Sequence, residues 1–400
     1  MKKIVRLSRV LVPGLAVLMI ASCTSVPKRN PLPTELANSA SVSGIEDARI
    51  WGDEMPYYAD AFFAQSREEV LQNWSAWHGE QLNFLAISGG GAGGAFGAGL
   101  LAGWTEAGDR PEFQLVTGIS TGALTAPFAF LGPEYDHVLE EIYTNYSTED
   151  LLKKRSPFNA FTSDAMYSSE RFQELIARYF DEEILAALEV EARKGRVLSI
   201  GTTNLDVGRP VVWRISAIAT SNHPDRLNLI RQIILASASI PAAFPPVAID
   251  VVANGEHYDE IHVDGGTASQ VFLYPTALNL PRFLEKLESP MNPTVFVIRN
   301  SRLDPSAAIV NRKLLPIASH SISTLIRSQG VGDLYRIFAL AERDDLNFNL
   351  AFIPPTFEET PNELFDPVWM QKLFDLGYEM GKGGYPWKDA PPDYREDQGE

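Results

Sequence analysis

Three short segments of this 400-residue chain carry groups suited to acyl transfer. Gly118-Ile119-Ser120-Thr121-Gly122 has the form of a nucleophile elbow. A strand-to-helix turn that sharp crowds the backbone, so its flanks need glycine, and it lifts the serine oxygen above the sheet at a helix N-terminus. Ser88 to Gly94 is a glycine run that follows one apolar segment and opens another. Consecutive N–H groups there, unshielded by side chains, can converge on a negative charge. In acyl transfer that charge is the oxyanion of the tetrahedral intermediate, with Gly89, Gly90 and Gly91 as the expected donors and Gly94 completing the motif. The third segment, Asp264-Gly265-Gly266, ends the strand-like stretch from His257 to Val263. Its carboxylate could take the serine proton with little steric obstruction. An ordinary carboxylate, with a pKa near 3.9, is a weak base, so this one must be positioned and partly desolvated.

Rival chemistries leave weaker traces. Gly89, Gly91 and Gly94 also fit the G-x-G-x-x-G dinucleotide fingerprint. The acids about twenty residues on, Glu106, Asp109 and Glu112, fall in a helix end and loop, not at the end of a second strand where a ribose would need one. A Ser-His-Asp esterase could draw on His262, two residues from Asp264 on the same strand face, or on His320, which satisfies the chain order Ser…Asp…His. The remaining histidines and the single cysteine lack metal-ligand spacing, so neither metal nor cofactor is expected. A reading of another class is a catalytically silent, lipid-anchored binding protein; the intact serine, aspartate and glycines argue against it.

The elements around these motifs alternate. Short strands are expected at 82–87, 114–117, 197–202, 211–217 and 294–299, and helices at 95–107, 121–130 and 226–238. That alternation implies an α/β fold whose mainly parallel sheet is covered on both faces. The stretch from about Glu134 to Lys194 reads as inserted helices able to act as a lid. Residues 51–80, rich in Trp, Tyr and Phe, read as helical segments docked on the main domain.

The N-terminus reads as a secretory signal. Lys2, Lys3, Arg6 and Arg9 precede the apolar run Val10 to Ile20, too short to span a bilayer. Ile20-Ala21-Ser22-Cys23 resembles a lipoprotein lipobox, in which Cys23 would be lipidated. Cys23 is the chain's one cysteine, so no internal disulfide competes for it. Thr24, where an Asp would signal inner-membrane retention, directs the expectation to the bacterial outer membrane. The organisation read from sequence is a signal peptide over 1–22, a tether and N-terminal extension over 23–80, a hydrolase domain over 81–355 and a loose acidic tail over 356–400. A net charge of −17 argues against a nucleic-acid partner, which would require clustered Lys and Arg. Oligomeric state is not assigned by any of these features.

Glycine loop, serine elbow and Asp-Gly-Gly, in that order and spacing, resemble the patatin-like phospholipase family. Thr203 to Pro210 and Ala236 to Pro246 are similar to that family as well. The resemblance runs over roughly residues 82–280. It implies a three-layer α/β/α fold, a Ser120–Asp264 dyad, an oxyanion hole from the backbone of Gly89 to Gly91, and hydrolysis of lipid acyl esters through an acyl-enzyme. Its implied partner is a lipid or a membrane surface. One departure stands out: many members carry Lys or Arg in the glycine loop where this chain has Gly93. Neutral lipids and simple esters therefore stand beside phospholipids as expected substrates.

Overall fold

A computed structural model describes residues 29–394, apart from 43, 46, 156–163 and 306–308. Cys23 and the signal segment lie outside the described residues. The strands are β1 (Arg49–Trp51), β2 (Asn83–Ile87), β3 (Leu115–Ile119), β4 (Lys153–Lys154), β5 (Tyr167–Ser168), β6 (Val197–Asn204), β7 (Arg209–Arg214), β8 (Val247–Ala253), β9 (Glu256–Asp264), β10 (Thr294–Arg299) and β11 (Asn347–Phe352). The helices are α1 (Ala59–Ala64), α2 (Arg67–Asn73), α3 (Gly94–Ala107), α4 (Thr121–Leu131), α5 (Asp136–Thr144), α6 (Thr148–Leu151), α7 (Glu170–Tyr179), α8 (Glu182–Arg193), α9 (Ile215–Thr220), α10 (Arg226–Ser237), α11 (Leu280–Leu287), α12 (Leu314–Asp344) and α13 (Pro367–Lys382).

Nine strands form one sheet in the order β1-β7-β6-β3-β2-β10-β11, with β9 joining β6 and β8 joining β9. From β6 to β11 every pairing is parallel, while β1, β7, β8 and β9 add antiparallel. Central parallel strands are covered on both faces, which is why β3 is buried at all five positions. Alternation along β2 separates two cores. Leu85 and Ile87 face a layer containing α3, α4, α5, α10 and α13, whereas Phe84 and Ala86 face α11, α12 and the aromatic N-terminal segment. The expected three-layer α/β fold with a mainly parallel sheet is therefore what the chain adopts.

One register matters above the others. β6 pairs with β3 over Val197–Gly201, then with β9 from Thr202 onward. Ile119 sits opposite Gly201, and Asp264 sits opposite Thr202, the next residue. β3 and β9 thus meet end to end along one edge of β6, each delivering its terminal residue to the same place. The β8–β9 hairpin is closed by Asn254 and Gly255, both with positive φ (53° and 82°), as a two-residue primed turn requires.

Two regions differ from their sequence expectations. The tether composition gives way by residue 29 to a docked segment: Arg29 bridges Asp206 and Asp259, and Ser41 pairs with Val252. The acidic segment after 356 is not loose over residues 367–394. It holds α13, whose buried Met370, Leu373, Phe374, Gly377 and Gly381 recur at helical spacing. This stripe lies on α3 along a seam of glycines, Gly99 and Gly103 against Gly377 and Gly381, that lets the two backbones approach closely. The charge and proline that suggested a tail sit on the other face of α13 and at its ends. β1 likewise extends the sheet with residues from the expected tether and extension.

Candidate active site

The elbow is strained in the manner its motif requires. Ser120 has φ 55° and ψ −121°, a conformation that costs a non-glycine residue on the order of 1–3 kcal/mol and persists only where surroundings enforce it. Ser237, at the end of α10, does part of the enforcing. Its Oγ accepts the Ser120 N–H (3.0 Å) and donates to the Gly201 carbonyl (2.7 Å), tying the elbow to β6. Ala123 N–H returns to the Ser120 carbonyl at 2.9 Å, starting α4 directly beneath the serine. Neither elbow glycine could carry a side chain: a Cβ on Gly122 would strike the Ile87 carbonyl of β2, and one on Gly118 the Gly122 carbonyl.

Asp264 is buried, 6% exposed, at the C-terminal end of β9. Burial pushes its pKa up to about 6, partly opposed by hydrogen bonds from the Ser120 hydroxyl and the Gly266 N–H (2.7 Å). Its own N–H donates to the Ser239 carbonyl (2.9 Å), and Thr203 Oγ1 donates to its carbonyl (3.1 Å). Ser120 and Asp264 thus lie near one another at the meeting ends of β3 and β9, and burial raises the Asp264 carboxyl above its ordinary range.

The glycine loop lies over this pair: a Cβ on Gly89 would touch the Ser120 Cβ at 3.2 Å. Gly89 N–H is already engaged, donating to the Gln270 carbonyl at 3.0 Å. Gly90 and Gly91 follow, Gly91 with φ 55° and facing the cavity beside Ser120. Gly94 begins α3 against Thr121 and Tyr143, where a side chain would not fit. Gly265 packs its Cα on the Gly201 carbonyl, and Gly266 turns its N–H back to Asp264. Gly118 packs against Gly122.

Beside Ser120 lies a narrow apolar cavity of about 40 Å³, walled by Leu124, Ile142, Leu151, Phe172, Leu175 and Phe244, among others. That volume holds no more than a few waters, so an acyl chain enters only if the walls move. Ile142, Leu151, Phe172 and Leu175 belong to the insert that the sequence presented as a candidate lid.

Neither candidate histidine joins the pair. His262 is fully buried and its ring nitrogens are engaged by Thr202 Oγ1 (2.9 Å) and Glu260 (3.3 Å), with Trp213 packed edge-on. Burial also lowers its pKa. His320 sits in the early part of α12, its carbonyl accepting from Thr324. Sequence reasoning did not assign roles to Ser237, Gln270, Arg299 or Asn300, all of which contact the elbow or the glycine loop. Ser237 lies within a segment quoted for its family resemblance, and that was the one available signal.

Comparison with known proteins returns a family match. The family model for Patatin, described as patatin-like phospholipase, matches residues 85–277. No curated protein matches the sequence. Among solved structures, VipD from Legionella pneumophila superposes with a TM-score of 0.37 at 12% identity, over 76% of this chain and 66% of that one, so the chain spans slightly under two thirds of VipD's length. The stretch from residue 85 to residue 277 therefore carries this chain's likeness to the patatin-like phospholipase family.

Proposed function

We propose that the chain hydrolyses lipid acyl esters through a Ser120 acyl-enzyme with Asp264 as the base. The observation that carries this reading is a serine on a strained elbow beside a buried carboxyl group whose pKa burial raises to about 6. Ser120 Oγ attacks the acyl carbonyl carbon while its proton passes to Asp264, and the carbonyl electron pair moves onto the oxygen. The glycine-loop backbone, through Gly90 and Gly91 and through Gly89 if Gln270 releases it, receives that oxyanion. Collapse breaks the ester C–O bond, and the departing alcohol takes the proton from Asp264. Water then repeats the sequence on the acyl-enzyme and frees the acid. A carboxylate near pKa 6 is ionised at neutral pH yet a stronger base than an exposed aspartate.

The apolar slot supports a fatty acyl chain as the acid portion of the ester. The part of the reading that rests on sequence alone adds lipidation at Cys23 and an outer-membrane address, tested by mass spectrometry of the mature N-terminus and by membrane fractionation. The central test is hydrolysis by wild type, Ser120→Ala and Asp264→Ala across phospholipids, lysophospholipids, acylglycerols and p-nitrophenyl esters. Activity confined to wild type, with fluorophosphonate labelling lost in Ser120→Ala, is the expected outcome. Equal activity in all three proteins refutes the assignment.

A further inference from the structure

The glycine loop has no cation of its own, and its packing explains why. β10 lies parallel to β2, so its last residue, Arg299, and the next, Asn300, emerge beside Ser88 to Gly90. Asn300 then clamps the loop: its N–H donates to Ser88 Oγ (2.9 Å), its side-chain amide donates to the Ser88 carbonyl (3.0 Å), and its side-chain oxygen accepts the Gly97 N–H (3.2 Å). A Cβ on Gly90 or Gly93 would run into the Asn300 carbonyl oxygen. Position 93 therefore cannot hold a Lys or Arg while Asn300 stays in place.

Arg299 brings a cation to the same loop from behind. It is 2% exposed, and its Nη1 donates to the Gly89 carbonyl at 3.3 Å, with Gln270 Oε1 at 3.5 Å. Ser88 Oγ donates to that carbonyl as well, at 2.7 Å. Its Nε is buried without a partner, an uncommon state for a guanidinium, and the nearest carboxylate exerting an influence is Asp333 on α12. The guanidinium lies against Gly330 of α12, where a side chain would displace it. Burial lowers its pKa to about 10, so it stays charged at neutral pH.

The Gly89 carbonyl belongs to the same peptide group as the Gly90 N–H. Hydrogen bonds accepted by a peptide oxygen polarise the group and strengthen its N–H as a donor, the more so in a low-dielectric interior. We infer that Arg299 is a positioning residue of the oxyanion hole, orienting and polarising the Gly89–Gly90 peptide so that the buried positive charge reaches the acyl oxyanion through Gly90 N–H. The inference rests on the acyl-hydrolase reading above. It assigns to β10, outside the 85–277 match, the cation that the loop itself lacks.

The test compares wild type with Arg299→Met, Arg299→Lys and Gly330→Ala on a short p-nitrophenyl ester, together with affinity for a trifluoromethyl ketone whose serine adduct bears an oxyanion. Arg299→Met is expected to lower kcat about tenfold to a hundredfold with KM within about twofold, a smaller loss than removal of an oxyanion donor itself. Affinity for the ketone should fall in step with kcat/KM, and Arg299→Lys should recover part of both. Gly330→Ala, which keeps the charge but shifts it, should show a weaker form of the same split, and it serves where Arg299→Met does not fold by circular dichroism. A folded Arg299→Met or Gly330→Ala with unchanged kcat and ketone affinity, or with a loss confined to KM, overturns the inference while leaving the acyl-hydrolase reading intact. Wild type that neither hydrolyses esters nor labels at Ser120 overturns both.

Discussion

Two cavities lie on opposite faces of the sheet, and they differ in a way that separates size from chemistry. The cavity on the α11 side measures about 230 Å³ and is lined by Phe62, Trp74, Trp77, Phe283 and their neighbours. The one beside Ser120 measures about 40 Å³. The larger holds stacked and edge-on rings, Phe62 on Phe283 at 4.2 Å and Trp74 at 5.4 Å from each, and its one cation, Arg214, is occupied by Tyr58 and Asp47. The smaller is lined by Ser120 of the strained elbow and by Gly91 of the glycine loop. Backbone strain persists only where the fold enforces it, so it points to a working site where open volume does not.

Substitutions on the two faces should trade places in their effects. Asp264→Asn is expected to lower kcat between roughly 10⁴- and 10⁶-fold in ester hydrolysis. Phe62→Ala, in the larger cavity, should cost about 3 kcal/mol in denaturant unfolding and leave kcat/KM unchanged while the protein is folded. Comparable losses of activity from both would erase the distinction. Next in size is the pH profile: with an Asp264 pKa of about 6, kcat/KM should fall about tenfold per unit below pH 6 and be flat above it. A profile still flat at pH 5 would mean that another group is the base.

At the mouth of the small cavity, Ile240 is 40% exposed. Ile240→Ala should reduce kcat/KM several-fold for long-chain esters and spare acetyl esters, since a lost apolar contact is worth about 1–3 kcal/mol. Stability shifts are the smallest expected effects. The folded pKa of Asp264 lies above its ordinary value of 3.8, so the native state loses stability as pH climbs from about 4 to about 6. Asp264→Asn lacks that titration. It should exceed wild type by on the order of 1–3 kcal/mol at pH 7.5 and by nothing at pH 4, read from urea unfolding at both values.

Sequence periodicity disclosed most elements because each is a local pattern: β10 spans the six residues expected of it, Thr294–Arg299, and α4 and α10 end within one residue of expectation. The run from 211 to 217 did not divide correctly. Its apolar residues suit a strand or a helix equally, and the chain turns from β7 into α9 at Ile215. Ser120 and Asp264 were legible as candidates because an elbow and an Asp-Gly-Gly turn each carry their own glycines. Arg299 and Asn300 were not, because their contacts with the glycine loop arise from strand pairing across roughly two hundred residues of chain. No spacing in one sequence encodes a pairing of that range. Gly93 looked like a deficit when read within its loop; beside Asn300 it is a steric necessity.

The shared edge of β6 also dictates where this chain can tolerate change in length. One residue added between Gly201 and Thr202 would carry Asp264 about 3.3 Å along the sheet and turn its side chain to the opposite face. At Asn254–Gly255, the far tip of the same hairpin, added residues alter neither pairing. That tip is therefore a handle: a fluorophore or affinity tag inserted there would ride on the strand bearing Asp264 while leaving its position against Ser120 untouched.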